Sequence, residues 1–142
     1  MKTRKTKDLE KVLSNIQDED TLHQYLKDIK DVTEHSFYEY YASQTIDFDK
    51  SKLVQDSGIE RSYCYHILNG TKKPSRDKIL CLCIAAKFNA EQTRRALEIA
   101  NEGILYAKSS RDTLIQYAIN QKFSVIETNI LLEEHQEKTL DI

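Results

Sequence analysis

Apolar residues recur along nearly the whole chain with the spacing of a helix. In an α-helix, residues three, four and seven positions apart share one face, so this repeat marks the side that packs against other elements. The segments that show it are Leu9–Ile16, Leu22–Ile29, Phe37–Tyr41, Cys64–Ile67, Ile79–Phe88, Leu97–Ala100 and Leu114–Ile119. Two further helices are predicted from their end residues, with apolar positions at Leu53 and at Ile130–Leu131. The pattern predicts about nine helices, no strand and therefore an all-α fold.

Residues that suit helix ends punctuate the same pattern. Asp, Asn and Ser side chains accept hydrogen bonds from the free N–H groups of a first helical turn, and glycine takes the left-handed conformation that often follows a helix. The predicted N-caps are Asp18 or Asp20, Asp49, Ser75, Asn89 and Ser124, with Gln92 and Glu127 completing capping boxes; the predicted stops are Gly58, Asn69-Gly70 and Gly103. The helix from Ser75 to Lys87 is apolar nearly all round, which predicts a central, buried position.

Composition narrows the choice of fold and location. The 142 residues include three glycines and one proline, too few turn residues for a β-sandwich or barrel of this size. The length fits one domain, or one domain with an appendage. No apolar run approaches the roughly 20 residues that span a bilayer, and residues 1–11 lack the apolar segment of a secretion signal. We therefore expect a cytoplasmic protein without a membrane segment.

The chain has three cysteines, Cys64, Cys81 and Cys83. An odd number that includes a C-x-C pair suits neither a disulfide framework nor the usual spacing of zinc ligands. Residues two apart on a helix also point in nearly opposite directions, so this pair is not expected to chelate one ion. We expect reduced cysteines packed as small apolar side chains and no metal, with redox sensing or metal binding as the alternative.

Residues 49–87 contain the most informative pattern. Two short predicted helices, Lys50–Ser57 and Arg61–Asn69, are separated by a turn at Gly58, which is typical of a helix-turn-helix. Glycine allows the left-handed backbone that so sharp a turn needs. The residues predicted to face inward and set the crossing of the two helices are Leu53, Ile59, Cys64 and Ile67. The opposite face of the second helix then carries Arg61, Ser62, Tyr65 and His66.

This pattern resembles the phage repressor and Cro class of helix-turn-helix proteins, often called XRE-like. The positions that carry the resemblance are Leu53, Gly58-Ile59, Cys64, Ile67, the exit loop Leu68–Ser75 with its Asn-Gly and Lys-Pro-Ser steps, and Ile79. The resemblance extends from Phe37 to Ala100. It divides the chain into an N-terminal helical extension (1–34), a helix-turn-helix domain (35–102) and a C-terminal helical region (103–142).

The resemblance implies a sequence-specific transcriptional regulator of the repressor kind, whose helix 61–69 enters the major groove of double-stranded DNA. Carried over residue by residue, base readout falls on Arg61, Ser62, Tyr65 and His66, with Arg61 suited to a bidentate contact with guanine. The phosphate contacts fall on Lys50, Asn69, Gly70, Lys72 and Lys73. Glu60 stands at the N-cap of this helix, where the class usually has Ser, Thr or Asp and where Glu is expected to cap poorly.

Charge and chemistry bear on the choice of function. Residues 50–78 contain seven basic and three acidic side chains, a net +4, whereas the whole chain is −2. A basic patch in an otherwise acidic chain suits a phosphate-facing surface. The overall acidity and Glu60 favour the alternative, a helical protein-interaction adaptor that keeps the scaffold without DNA binding. No catalytic motif or cofactor loop stands out, and the acids lie on predicted helix exteriors, where we expect them to be solvated; neither enzymatic activity nor a cofactor is expected.

A single recognition helix contacts too few base pairs to specify a genomic site, so we expect a homodimer. The apolar residues that flank the motif offer an interface: Ile115, Ile119, Val125, Ile126, Ile130 and Leu132, joined by the helix that carries Leu22, Leu26 and Ile29. The competing expectation is that both flanks fold back and enlarge the core of the monomer.

Overall fold

The computed structural model describes residues 18–34 and 36–142, and all regular structure in these ranges is helical. The eight helices there are α1 (Glu19–Glu34), α2 (Phe37–Gln44), α3 (Lys50–Ser57), α4 (Arg61–Leu68), α5 (Arg76–Ala85), α6 (Ala90–Ile99), α7 (Ser110–Asn120) and α8 (Val125–Glu134). The all-α fold is therefore confirmed over the described residues. The helix predicted at Leu9–Ile16 lies outside them.

Helix α1 belongs to a first compact unit, residues 1–36, and helices α2–α8 belong to a second, residues 37–142. At the start of α1 the Asp18 carboxylate accepts a hydrogen bond from the Thr21 N–H at 2.6 Å. Asp18 rather than Asp20 is therefore the cap, and the predicted helix is confirmed. Leu22 and Leu26, four residues apart on one face of α1, are exposed.

Helix α5 forms the centre of the second unit. Every residue from Ile79 to Ala86 is buried, and α5 contacts α3, α6 and α8. The Ser75 hydroxyl caps its first turn, and Tyr41 of α2 donates its hydroxyl to the Leu82 carbonyl at 2.8 Å. A helix that is apolar on all sides is stable in water only where other elements surround it. The predicted central position of this helix is confirmed.

Helix α6 begins as predicted but ends earlier. Asn89 and Gln92 form the reciprocal capping box. The predicted stop at Gly103 is wrong, because α6 ends at Ile99 and Asn101 takes the left-handed conformation with φ 58°. The Glu102 N–H then donates to the Leu97 carbonyl at 2.9 Å, which satisfies the last turn. Asn tolerates the left-handed region better than most residues, so glycine is not needed at this position.

Helix α8 starts at the predicted capping box of Ser124 and Glu127, but its buried face differs from the prediction. The residues that face the core are Val125, Thr128 and Leu132. These positions are spaced i, i+3 and i+7, which places them on one stripe of the helix. Ile130 is half exposed because it lies on the opposite side, so the prediction that it shares the inward face with Leu131 is wrong.

The apolar residues of the C-terminal flank divide between the core and the surface. Four of the six, Ile115, Ile119, Val125 and Leu132, are buried within the chain, as expected if this flank enlarges the core of the monomer. The other two, Ile126 and Ile130, are 73% and 50% exposed. They are four residues apart on α8 and therefore lie side by side on its outer face.

A buried arginine–carboxylate pair links α5 to α7 and corrects the expectation that the acids are solvated. Asp112 is buried and accepts hydrogen bonds from Arg76 at 2.9 and 3.1 Å, and from the Tyr106 N–H at 3.0 Å. Arg76 also donates to the carbonyls of Gly103 and Ile104. This Arg76 clamp joins positions 36 residues apart, a pairing that no local pattern reveals.

A second pair, the Arg111 clamp, holds the C-terminal segment against α5. Arg111 donates to Asp77 at 3.0 Å and to the Thr139 carbonyl at 3.1 Å, and Asp77 also accepts from the Asp141 N–H. Burial raises the pKa of each clamped carboxyl, but the arginine and backbone hydrogen bonds outweigh it. The pKa values of Asp77 and Asp112 are therefore lowered.

The three cysteines are buried and unpaired, as predicted. Burial raises the pKa of Cys81 to about 12 and also raises the pKa values of Cys64 and Cys83. Because the thiolate is the reactive form of cysteine, these side chains act as packing groups near neutral pH.

Candidate nucleic-acid interface

Helices α3 and α4 are two short consecutive helices joined by a turn at Gly58, and this pair is called the first hairpin below. Asp49 caps α3, and Gly58 ends it with φ 74° while its N–H donates to the Gln55 carbonyl. The four residues predicted to face inward, Leu53, Ile59, Cys64 and Ile67, are all buried. The turn is also covered from outside, since a Cβ at Gly58 would stand 3.2 Å from the Ile142 side chain. The left-handed backbone and this contact both favour glycine at the turn.

Glu60 is a working N-cap, which corrects the expectation that it caps α4 poorly. One carboxylate oxygen accepts from the Ser62 N–H at 3.0 Å and the other from the Tyr63 N–H at 2.7 Å. These two backbone hydrogen bonds lower the pKa of Glu60. The N-terminus of α4 therefore already holds a negative group, and an incoming phosphate has to be bound by side-chain cations.

The outer face of α4 presents the residues assigned to base readout. Arg61, Ser62 and His66 are exposed, and Tyr65 is half-buried. The Arg61 guanidinium carbon lies 5.6 Å from the centre of the Tyr65 ring, and the Lys50 ammonium lies 5.8 Å from the same centre. The structure thus brings a residue assigned to phosphate contact next to two assigned to base readout.

The exit loop after α4 displays two further cations. Lys72 and Lys73 are exposed, and the loop is closed by the Thr71 and Lys72 N–H groups, which both donate to the His66 carbonyl. The Asn69 side-chain oxygen accepts from the Thr71 N–H at 2.9 Å. This bond leaves the Asn69 amide N–H groups as the donors able to meet a phosphate.

Gly70, also assigned to phosphate contact, belongs to the Asn69-Gly70 step predicted to end α4, and the helix does end there, at Leu68. Gly70 is left-handed with φ 84°, and its N–H donates to the Ile67 carbonyl at 3.2 Å. A Cβ at this position would lie 2.6 to 2.9 Å from three atoms of the Tyr38 ring. A side chain there would be strained by the left-handed backbone and would require the Tyr38 ring to move, so both features favour glycine at this position. Its N–H would have to give up the Ile67 bond to bind a phosphate.

Three acids near the motif are engaged in local bonds, whereas five of its cations have no ion-pair partner among the described residues. Asp49 and Glu60 cap helices, and Asp77 belongs to the Arg111 clamp. Within the described ranges, the following five cations form no ion pair: Lys50, Lys52, Arg61, Lys72 and Lys73. Arg76 and Asp77 each belong to a clamp, and their opposite charges cancel. The other side chains of residues 50–78 therefore carry the net charge of +4.

An apolar groove of about 270 Å³ lies beside this surface. Its lining includes Tyr38, Ile46, Phe48, Lys50 and Leu68, and Ile46 is 78% exposed. Sequence reasoning missed it because the groove is built from α2, the loop to α3 and the end of α4. The available signal was the pair of large apolar residues in the polar segment 45–49.

Among the described residues, no group of three His, Cys, Asp or Glu side chains is arranged to hold a metal ion. No helix in the same part of the chain combines the length and the hydropathy needed to cross a bilayer. No protein-family model, curated protein or solved structure matches the chain. The resemblance to repressor-like proteins therefore rests on the residues of the motif alone.

Proposed function

We propose that the protein is a sequence-specific DNA-binding regulator of transcription, of the repressor kind, that inserts α4 into the major groove. One observation carries this proposal: the cations of the hairpin surface are exposed and unpaired among the described residues, while most neighbouring acids are engaged in caps and clamps. Exposed cations without an ion-pair partner suit a polyanion, because each phosphate contact releases condensed counterions. The outer face of α4 supplies side chains able to reach base edges.

Selection of bound sequences from random duplex DNA at low salt tests this function. We expect one motif to be enriched by the full chain. Arg61→Ala should lose about 1–3 kcal/mol of binding free energy on that motif and relax preference at one base position. Lys73→Ala should weaken all sequences similarly and reduce the salt slope by about one unit. If the wild-type chain enriches no motif, the proposal is wrong; if both variants lose equally on specific and random DNA, Arg61 is a phosphate contact.

The same proposal includes a homodimer, because two recognition helices about 34 Å apart read one face of the duplex. Ile126 and Ile130 on the outer face of α8 are the exposed apolar pair that suits a two-fold interface. The buried residues Ile115, Ile119, Val125 and Leu132 are not available for it.

The apolar groove favours a second candidate function, a helical protein-interaction adaptor. Exposed apolar side chains around a concave surface are characteristic of sites that bind another protein. Ile46 and Phe48 are the exposed members of this groove. If the protein is an adaptor, selection from random duplex DNA should enrich no motif. If it is a regulator, the Ile46→Ser variant should enrich the same motif as the wild-type chain.

A further inference from the structure

Two cations from different helices approach one aromatic ring on the recognition face. Lys50 is the first residue of α3, and Arg61 is the first residue of α4, one turn before Tyr65. Their charged groups lie 5.8 and 5.6 Å from the centre of the Tyr65 ring. Two like charges drawn to the same ring repel each other, and no acidic side chain of the described residues pairs with either of them.

The Tyr65 ring is the group that offsets this repulsion. The face of an aromatic ring carries negative charge density, and a cation within about 6 Å of its centre is attracted to it. Tyr65 is half-buried and packs against the core, so the ring itself is held in place. The two neighbouring acids, Asp49 and Glu60, both accept backbone N–H groups as helix caps.

From this geometry we infer that Tyr65 is a positioning residue, whose ring holds Arg61 and Lys50 at a fixed spacing so that a base contact and a phosphate contact are made in register. The inference rests on the proposed function. It changes the assignment of Tyr65 from a direct reader of bases to a residue that acts through the two cations. Side chains held in one conformation before binding lose less entropy on binding, which strengthens discrimination between sequences.

The test compares three variants of the full chain on the selected motif and on scrambled duplex DNA. Tyr65→Leu removes the ring, Tyr65→Phe keeps the ring without the hydroxyl, and Tyr63→Leu is the matched control. Tyr63 is a half-buried residue of the same helix with the Lys78 ammonium 5.5 Å from its ring centre. The Tyr63→Leu variant therefore loses an equivalent cation–ring pair, and this pair lies away from the outer face of α4.

We expect Tyr65→Leu to lower the ratio of specific to non-specific affinity roughly two- to twelvefold, the cost of ordering the one base-reading side chain, Arg61, on binding. Tyr65→Phe and Tyr63→Leu should keep the wild-type ratio. In the free protein, the side-chain proton signals of Arg61 should carry a ring-current shift that Tyr65→Leu abolishes and Tyr65→Phe retains. Thermal melting of each variant checks that the fold is intact.

Each contrary outcome is distinguishable. If Tyr65→Phe loses as much discrimination as Tyr65→Leu, the hydroxyl contacts the DNA and the positioning role is refuted while the proposed function stands. If Tyr65→Leu discriminates as well as wild type, the positioning role is refuted in the same way. If the wild-type chain itself enriches no sequence, both the inference and the proposed function are overturned.

Discussion

The second compact unit contains two helical hairpins that have similar backbones but outer faces of different chemical character. In each, a short connection with one left-handed residue, Gly58 in α3–α4 and Lys122 in α7–α8, leads to a side-chain cap on the second helix. Glu60 provides that cap in the first hairpin, and Ser124 provides it in the second. Both hairpins rest on α5, through α3 and α8 respectively.

Their outer faces differ in charge and in polarity. Residues 50–73 carry five basic and two acidic side chains, whereas residues 110–134 carry two basic and four acidic ones. The outer face of α4 offers Arg61 and His66, while that of α8 offers the exposed pair Ile126 and Ile130. Under the proposed function, a similar backbone arrangement would meet two kinds of partner, a polyanion at the first hairpin and an apolar surface at the second.

The largest expected effect comes from a substitution in α5, the helix that both hairpins contact. Leu82→Asp would bury an unpaired charge in the centre of α5, at a cost of at least about 4 kcal/mol. Both hairpins should unfold together, as measured by circular dichroism melting. Ile46→Asp makes a similar change at a site that is 78% exposed and should leave the melt nearly unchanged. A Leu82→Asp chain that melts like wild type would mean that α5 is not the core of the unit.

The apolar outer face of the second hairpin predicts how the protein assembles. Placing aspartates at both Ile126 and Ile130 should weaken the dimer at least about 100-fold, because a two-fold interface would bury each charge twice. The chain should stay folded, since both positions are at least half exposed. Sedimentation at tens of micromolar measures the change, and Ile104→Asp, at an exposed apolar residue outside α8, is the control. A wild-type chain that is monomeric at this concentration would remove the dimer from the proposed function.

The Arg76 clamp predicts how acid affects the attachment of the second hairpin. The pKa of Asp112 is lowered in the folded chain, so the folded state binds its proton more weakly than the unfolded state does. The stabilisation is therefore complete above the unfolded pKa of about 3.9 and is lost as pH falls through the folded value. Urea unfolding measured from pH 6 down to about pH 3 should show this loss.

Asp112→Asn should reduce that acid dependence while keeping the shape of the side chain, and Asp77, whose pKa is also lowered, should account for part of what remains. Asp112→Ala removes the partner of Arg76 and should cost about 2 kcal/mol at pH 7, because it leaves a partly buried guanidinium unpaired. The contrary result is a slope below pH 4 in Asp112→Asn that equals that of wild type, which would place the acid sensitivity elsewhere. Hydrogen exchange in α7 reports whether the loosening is local to the second hairpin.

Whether the sequence predicts a feature of these two hairpins depends on how far apart along the chain the interacting residues lie. Caps join residues two or three apart, so Ser75, Asn89 and Ser124 were correctly assigned from local pattern alone. The buried stripe of the first hairpin was predicted for the same reason, since helical periodicity relates near neighbours. The end of α6 is predicted wrongly because glycine is the most common left-handed residue but not the sole one. Asn101 takes the left-handed conformation there.

The contacts that the sequence did not predict join residues far apart in the chain. The Arg76 clamp, the approach of Tyr38 to Gly70 and the contact of Ile142 over Gly58 depend on how whole helices pack. Such contacts matter for the candidate site as well. Counting charges between positions 50 and 78 included Arg76, whose charge is paired with Asp112, but did not indicate that Lys50 approaches the Tyr65 ring.

The smallest expected effect separates the two roles of Glu60 in the first hairpin. Glu60→Ser replaces one capping side chain by another that is preferred at the N-cap, so the melting temperature should stay close to that of wild type. The change also removes a negative charge at the edge of the predicted interface. DNA affinity at low salt should rise a few-fold, and the gain should shrink at high salt because screening weakens the repulsion that was removed.

Glu60→Ala removes both the cap and the charge, so it should lower the melting temperature while giving a similar gain in affinity. Glu133→Ser removes the same charge from the second hairpin and should change neither quantity. Equal DNA affinity for wild type, Glu60→Ser and Glu133→Ser would show that the start of α4 does not face the phosphates.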